Sequence, residues 1–314
     1  MKTVMLSLSF YCISGLLSSQ TITIDSQVSM LALGDSYTIG ESVNIQERWP
    51  HQFVDELKKL GITAGNPDYI AVTGWTTRNL IQGIGSMLDE NKQYNLVSIL
   101  IGVNNQYQGI NIDSYEPDLR NIIDLALEIV DQDPARLFML SIPDYAFTPF
   151  GNGNELISKE IDDYNAINLR IAEEYKIVYI DITPISREGL DKPSLVASDG
   201  LHPSADQYQQ WVQAILPSLY LNSGLSSNVH PLPPDVLRIY PNPAGSVLYL
   251  DSRVSIDRIR IFDLRGALVS DLSVSNMPVS IDLSSLAPSI YSICAHSSEN
   301  RDQVFRRAFI ISTD

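Results

Sequence analysis

Cysteine is almost absent from this 314-residue chain, which has only Cys12 and Cys294. Cys12 falls in an apolar leader described below. Once that segment is removed Cys294 has no partner within the chain, so stability must come from a packed core, not from disulfides. Histidine is scarce as well, at four residues, and no His- or Cys-rich spacing suited to a metal ion occurs. No metal and no cofactor is expected. Basic residues number 21 against 37 acidic ones, a formal charge of −16. Such a surface repels phosphate backbones and anionic lipid, which argues against nucleic acid as a partner. Beyond the leader no run approaches the roughly 20 apolar residues that span a bilayer, so no transmembrane segment is expected in the mature chain.

What is present is a hydrophobic share of 44% with 18% charged residues, the balance of a chain that folds. The length allows two domains at about 150 residues each. Residues 1–20 stand apart from the rest. Lys2 precedes an apolar stretch from Val4 to Leu17, and Ser18-Ser19-Gln20 offers small residues for cleavage. This is the composition of a secretory signal peptide, and the apolar run is short for an uncleaved anchor.

Residues 21–221 alternate short apolar runs with longer amphipathic ones, as a parallel sheet covered by helices does. The expected strands are Met30 to Gly34, Tyr69 to Thr73, Leu96 to Gly102, Leu137 to Ile142 and Ile177 to Ile182. The expected helices are Glu47 to Leu60, Thr77 to Glu90, Tyr115 to Asp131, Glu155 to Tyr175 and Ala205 to Leu221. Phe53, Leu57 and Leu60, like Ile122, Leu125 and Ile129, recur at helical steps. Five strands alternating with five helices predict a three-layer α/β/α sandwich. Residues 222–235 break the pattern with Ser, Asn and Gly and with the run His230-Pro231-Leu232-Pro233-Pro234, an extended linker. In residues 236–314 the period falls to two: Val247 and Tyr249, Ile259 and Ile261, Val279 and Ile281, Tyr291 and Ile293. Short strands of this kind predict a small all-β sandwich.

The chemistry-bearing strings lie where the expected strands end. Leu33-Gly34-Asp35-Ser36-Tyr37-Thr38 puts a hydroxyl at the carboxyl end of the first strand, where open α/β sheets place reactive groups. A serine needs a base. Of the four histidines only His202, in Asp199-Gly200-Leu201-His202-Pro203, has a carboxylate three residues before it to accept the Nδ1 proton. His51, His230 and His296 read as surface or linker residues. Gly74 after Ile70-Ala71-Val72-Thr73, and Asn104 in Ile101-Gly102-Val103-Asn104-Asn105, could donate hydrogen bonds to an oxyanion. Each string alone reads equally well as a turn or a cap.

Taken in order, the four strings resemble the sequence blocks of the SGNH hydrolase superfamily, the GDSL-type esterases and lipases, over residues 29–221. The resemblance implies a flavodoxin-like α/β/α fold and a serine esterase, which the leader makes a secreted one. It makes Ser36 the nucleophile and His202 the base oriented by Asp199, with Ser36, Gly74 and Asn104 forming the oxyanion hole. Tyr37 stands where the family has Leu, and Asn105 where an Asp is usual. The same site would also suit an acyltransferase, and a chain that kept only the fold would be a catalytically silent surface-binding protein. Trp75, Tyr145, Phe147 and Phe150 offer an apolar or sugar-stacking wall beside the site, equally readable as core. A short acyl ester, an acetylated sugar and a lysophospholipid all fit.

The tail resembles a type IX secretion C-terminal sorting domain. The resemblance rests on Tyr240-Pro241-Asn242-Pro243-Ala244, Ile261-Phe262-Asp263-Leu264-Arg265-Gly266, the segment from Leu283 to Tyr291, and Arg306-Arg307-Ala308-Phe309-Ile310. It implies the type IX machinery as a partner and a secreted or cell-surface location. A carbohydrate-binding module would need an aromatic platform, and no Trp follows Trp211.

Overall fold

The computed structural model describes residues 20–222, 237–263, 268–297 and 304–311. The expected signal peptide, apart from Gln20, and the expected linker, apart from Asn222, lie outside the described residues, as do Leu264, Arg265 and Gly266.

Five strands and five principal helices alternate along the first part of the chain. They are β1 (Met30–Gly34), α1 (Trp49–Lys59), β2 (Asp68–Ala71), α2 (Thr77–Met87), β3 (Leu96–Leu100), α3 (Tyr115–Ile129), β4 (Leu137–Leu140), α4 (Glu155–Tyr175), β5 (Val178–Ile180) and α5 (Ala205–Ile215). The strands are all parallel in the order β2-β1-β3-β4-β5. The crossover from β1 to β2 moves one way across the sheet and every later one moves the other way. Right-handed crossovers therefore put α1 on one face and α2, α3 and α4 on the other. α1 packs against α5, and α2 against α3. Every residue of β1, β3 and β4 is buried, as expected for a sheet covered on both sides.

Local chemistry explains the helix limits. Pro50 sits in the first turn of α1, where its missing N–H costs nothing, and Lys58 and Lys59 face the negative end of the dipole. Trp49, Phe53, Val54 and Leu57 form its buried stripe. Ser204 caps α5 through the Gln207 N–H. The last helix is shorter than its period suggests. Pro217 cannot continue the hydrogen-bond ladder, a single 3-10 turn follows, and Leu219–Asn222 is a strand. That strand pairs in parallel with Ile22–Asp25, whose Ile22 and Ile24 are buried. His51 is another departure from expectation: it is buried in α1, stacked on Tyr69, with Nδ1 2.6 Å from the Tyr69 hydroxyl.

The tail has its own core. A three-stranded antiparallel sheet (Leu237–Tyr240, Val247–Ser252, Val279–Asp282) and a four-stranded one (Leu268–Ser273, Ile256–Phe262, Ser289–Ser297, Val304–Ile311) bury Leu248, Leu250, Ile259, Ile261, Ile281, Ile293 and Phe309 between them. The alternation is real, but in one strand the inward face is the reverse of the expected one: Leu248 and Leu250 point in, Val247 and Tyr249 out. Tyr249 stacks on Tyr240 at 5.6 Å on the exposed side. Cys294 is buried.

Candidate active site

The parallel register assembles the site. Gly34 of β1 pairs with Ala71 of β2 on one side and with Leu100 of β3 on the other. Three strands thus end at one level. The chain then turns out of the sheet at Ser36, Gly74 and Asn104, so these residues leave the same carboxyl edge. This is the switch point of the 2-1-3-4-5 order, where neighbouring crossovers diverge and leave a crevice.

Gly34 has no room for a side chain: a Cβ would lie 2.3 Å from the Leu100 carbonyl oxygen and 2.1 Å from Thr38 Oγ1. Ser36 opens a one-turn helix, Ser36–Ile39, whose first turn is capped by Asp35 accepting the Tyr37 N–H at 3.0 Å. Ser36 is almost buried. Gly74 is selected by its backbone, not by space, because its φ is +83° and a Cβ would touch nothing within 4 Å. Gln108 donates to its carbonyl at 3.0 Å. Asn104 Nδ2 donates to the Trp75 carbonyl at 3.0 Å and lies 3.4 Å from Asp35 Oδ2, so it bridges the Gly74 turn and the Ser36 turn. Asn105, which stands where the family has Asp, is buried and still makes a supporting pair of bonds. Its Oδ1 accepts the Thr77 N–H at 3.0 Å and its Nδ2 donates to Thr77 Oγ1 at 2.8 Å, which locks the ends of β3 and α2 together.

The Asp199–His202 turn supplies the other half. His202 Nδ1–H donates to Asp199 Oδ2 at 2.5 Å, while Asp199 Oδ1 accepts the backbone N–H groups of Leu201 (2.9 Å) and His202 (3.0 Å). Partial burial opposes ionisation of Asp199, but the bonds from Ser42, His202 and the two amides outweigh it and hold the carboxyl well below its ordinary range. With Nδ1–H bonded to the carboxylate, Nε2 is the nitrogen left free to take a proton. The Tyr37 ring meets the His202 ring edge to face, 5.5 Å between centroids, so the residue beside Ser36 is in contact with the imidazole. Among the described residues, no direct hydrogen bond joins the Ser36 hydroxyl to His202. Ser42 is the site residue that sequence reasoning misses: it donates to Asp199 Oδ2 at 2.7 Å from a loop with no motif spacing to mark it.

Asp35 is a buried carboxylate whose charge is costly. Desolvation pushes it up to about 7, against the hydrogen bonds of Tyr37 and Asn104 that favour the anion. The folded value lies above the ordinary 3.8, so the folded chain holds an extra proton between these pH values. Stability from this group is full below about 4, falls as pH rises towards 7, and is then level, a difference on the order of 4 kcal/mol. Asp35→Asn is therefore expected to melt several degrees higher than wild type at pH 8, with the gap closing at pH 4. Melting curves at the two pH values check this. Esterase turnover should fall. The substituted amide must keep its oxygen for the Tyr37 N–H, and it then turns its NH2 towards Asn104 Nδ2, donor against donor.

The aromatic wall is partly relocated. Trp75 turns away from the site and lies over Gly83 of α2, where a Cβ would stand 2.4 Å from its ring. Tyr145 is buried and donates to Gln106 Oε1. Tyr107 and Phe150 are more than half exposed and sit with Tyr145 in a triangle of rings 6.1–6.2 Å apart. Tyr107 ends the short helix that carries Asn104, and the Phe150 N–H bonds the Gly200 carbonyl inside the Asp199–His202 turn, so the rings span the two halves of the site. Among the described residues no group of His, Cys, Asp and Glu is placed to hold a metal ion, and no helix is long and apolar enough to cross a membrane.

A serine turn, two strand-end loops and an Asp-His turn at the carboxyl edge of a 2-1-3-4-5 sheet are the arrangement of an open-crevice α/β site. Residues 32–210 match the model of the GDSL-like lipase/acylhydrolase family, and the chain belongs to that family. It is a carboxylic ester hydrolase by that membership. Residues 238–311 match the secretion system C-terminal sorting domain, which marks the protein for type IX export to the cell surface or beyond. An arylesterase from Vibrio mimicus is 26% identical over 209 residues, 65% of this chain and 90% of that protein. Among solved structures, a lipolytic G-D-S-L family protein from Veillonella parvula aligns at 16% identity and TM-score 0.49, over 60% of this chain and 96% of its own. An acetyl xylan esterase from Geobacillus stearothermophilus aligns at 21% and 0.48, over 62% and 97%.

Proposed function

We propose that the protein hydrolyses a carboxylic ester through Ser36, His202 and Asp199 by way of an acyl-enzyme. His202 Nε2 takes the Ser36 proton as Oγ attacks the ester carbonyl, and later gives a proton to the leaving alcohol. The Ser36 and Gly74 amides and Asn104 Nδ2 stabilise the oxyanion. The Asn104–Asp35 contact is long at 3.4 Å, which leaves that N–H available to a stronger acceptor. Water then repeats the cycle on the acyl group. The single observation that carries this reading is the Asp199–His202 bond aimed from a turn in ring contact with Tyr37, one residue from the serine. A direct Ser36–His202 bond is expected to tighten only when substrate excludes water, as it does in other hydrolases.

The half-exposed rings of Tyr107 and Phe150 form an open shelf on which a sugar or aryl alcohol could lie, while a long acyl chain would want enclosure. A short acyl ester of a saccharide or aryl alcohol is the substrate class this supports best. Incubation with a fluorophosphonate, followed by peptide mass spectrometry, should place one phosphonyl adduct on Ser36. Quantitative labelling at another residue, or none with active protein, would remove the serine mechanism.

A further inference from the structure

The loop between the Ser36 turn and α1 makes three contacts that tie the site together. The Glu41 N–H bonds the Ser36 carbonyl at 3.0 Å. The Glu41 carboxylate accepts from Thr73 Oγ1 at 2.5 Å, beside Gly74. Ser42, the next residue, donates through Oγ to Asp199 Oδ2 at 2.7 Å across 157 positions of sequence. Consecutive residues thus hold the donor loop with one side chain and the base-orienting carboxylate with the other. Ser42 keeps this position in the left-handed region, at φ +67°, a conformation rare for serine and costly without a compensating contact.

Asp199 needs such a contact. Its carboxylate is 30% exposed, and a terminal carboxyl torsion is broad, so water competes for any open lone pair. The three other hydrogen bonds it accepts come from within its own turn, from Leu201 and His202. Those bonds fix the carboxylate relative to the imidazole, while the turn is held from outside by the Phe150 N–H on the Gly200 carbonyl and by the Tyr37 ring against His202. Ser42 is the contact from outside the turn that reaches the carboxylate itself.

We propose that Ser42 is a positioning residue for His202: its hydroxyl holds the Asp199 carboxylate in register with the Ser36 turn and shares the negative charge on Oδ2. The inference rests on the Ser36–His202 reading above. Loss of the hydroxyl has two consequences. The Asp199 carboxylate loses its hydrogen bond to the loop that follows the Ser36 turn, so near-attack geometry is reached less often and kcat falls while substrate binding does not. Oδ2 also keeps more charge for the imidazolium, so the acid limb of the rate profile moves upward. Tyr37 and Tyr208, whose fields couple to Asp199, are buried and held as phenols, and Asp35, pushed up to about 7 beside Ser36, titrates alike in wild type and variants, so the effect of Ser42 is read as the difference between their profiles.

The test uses Ser42→Ala and Ser42→Gly in the full chain. Ser42 is exposed, so neither variant opens a cavity, and glycine adopts a positive φ without strain. Both variants should lower kcat on a p-nitrophenyl acetate assay by about tenfold at unchanged KM. Both should also move the acid limb of kcat/KM upward by about half a pH unit. Kinetics within twofold of wild type with a superimposable pH profile, beside an inactive Ser36→Ala control, would overturn the proposal alone. Full recovery in the glycine variant of what alanine loses would overturn it too, by assigning the effect to backbone strain. Activity surviving in Ser36→Ala would instead bring down the reading of the site on which it rests.

Discussion

Ser36→Ala should lower turnover of an activated short-chain ester by on the order of 10⁴ or more, leaving the fold intact. That loss is about 5.5 kcal/mol of transition-state stabilisation. On the proposed mechanism it is large because the serine would supply both the attacking oxygen and the step that divides one difficult reaction into two easier ones. The change itself is small in structural terms. Ser36 sits at the head of a capped turn, and its backbone N–H, the oxyanion donor of the proposed mechanism, is retained in alanine. A residual rate above the uncatalysed one is therefore expected from the Gly74 and Asn104 donors. The check is kcat/KM for wild type and variant, with matching circular dichroism and melting. An undiminished rate would mean that the crevice binds esters but does not use this oxygen. Transfer of the acyl group to an added sugar alcohol, followed by product analysis, separates hydrolysis from transfer on the same acyl-enzyme.

The second large effect concerns delivery, not chemistry. Deleting residues 236–314 should leave specific esterase activity within about twofold of the full chain and abolish appearance of the protein in the medium or on the cell surface. The first half of this expectation follows from the packing. The buried apolar cluster of the α/β region draws on residues from Ile22 to Leu219, and that of the tail on residues from Leu237 to Ile311, with no member in common. Removing the second set takes no side chain from the first. The second half follows from the match to the sorting domain over residues 238–311. Fractionation with an activity assay on each fraction checks both. Normal release of the truncated protein would end the export role of the tail, and loss of activity would show that the α/β region needs it to fold.

Much of this molecule is legible without coordinates. The strand cores of β1, β3 and β4 stand out because a parallel strand buried on both faces is apolar at nearly every position, Ser98 of β3 excepted, and that leaves a short apolar run. Ser36 and His202 stand out for another reason. An unusual residue type in a fixed local string needs only its immediate neighbours, Asp35 or Asp199, to be recognised. The period of Leu219 and Leu221 carries α5 too far, because Pro217 and the pairing with Ile22–Asp25 override it. His51 reads as surface for want of a carboxylate three residues before it, whereas its partner Tyr69 lies 18 residues on, in β2. The reversed inward face of Val247–Ser252 has a similar cause: Val-Leu-Tyr-Leu is apolar at every step, so alternation alone cannot say which face is inward.

The layering of the α/β region, the separate β-rich tail and the residue types at the site are readable from the order of residues, because each depends on interactions within a few residues or on a local period. Only the tertiary structure decided that Gly34, Ala71 and Leu100 end level, and that the Asp199 carboxylate is anchored to Ser42. It also decided that Trp75 turns towards α2 while Tyr107 and Phe150 face the solvent. These are matters of register and long-range contact, set by how strands slide into alignment and which side chains then find room.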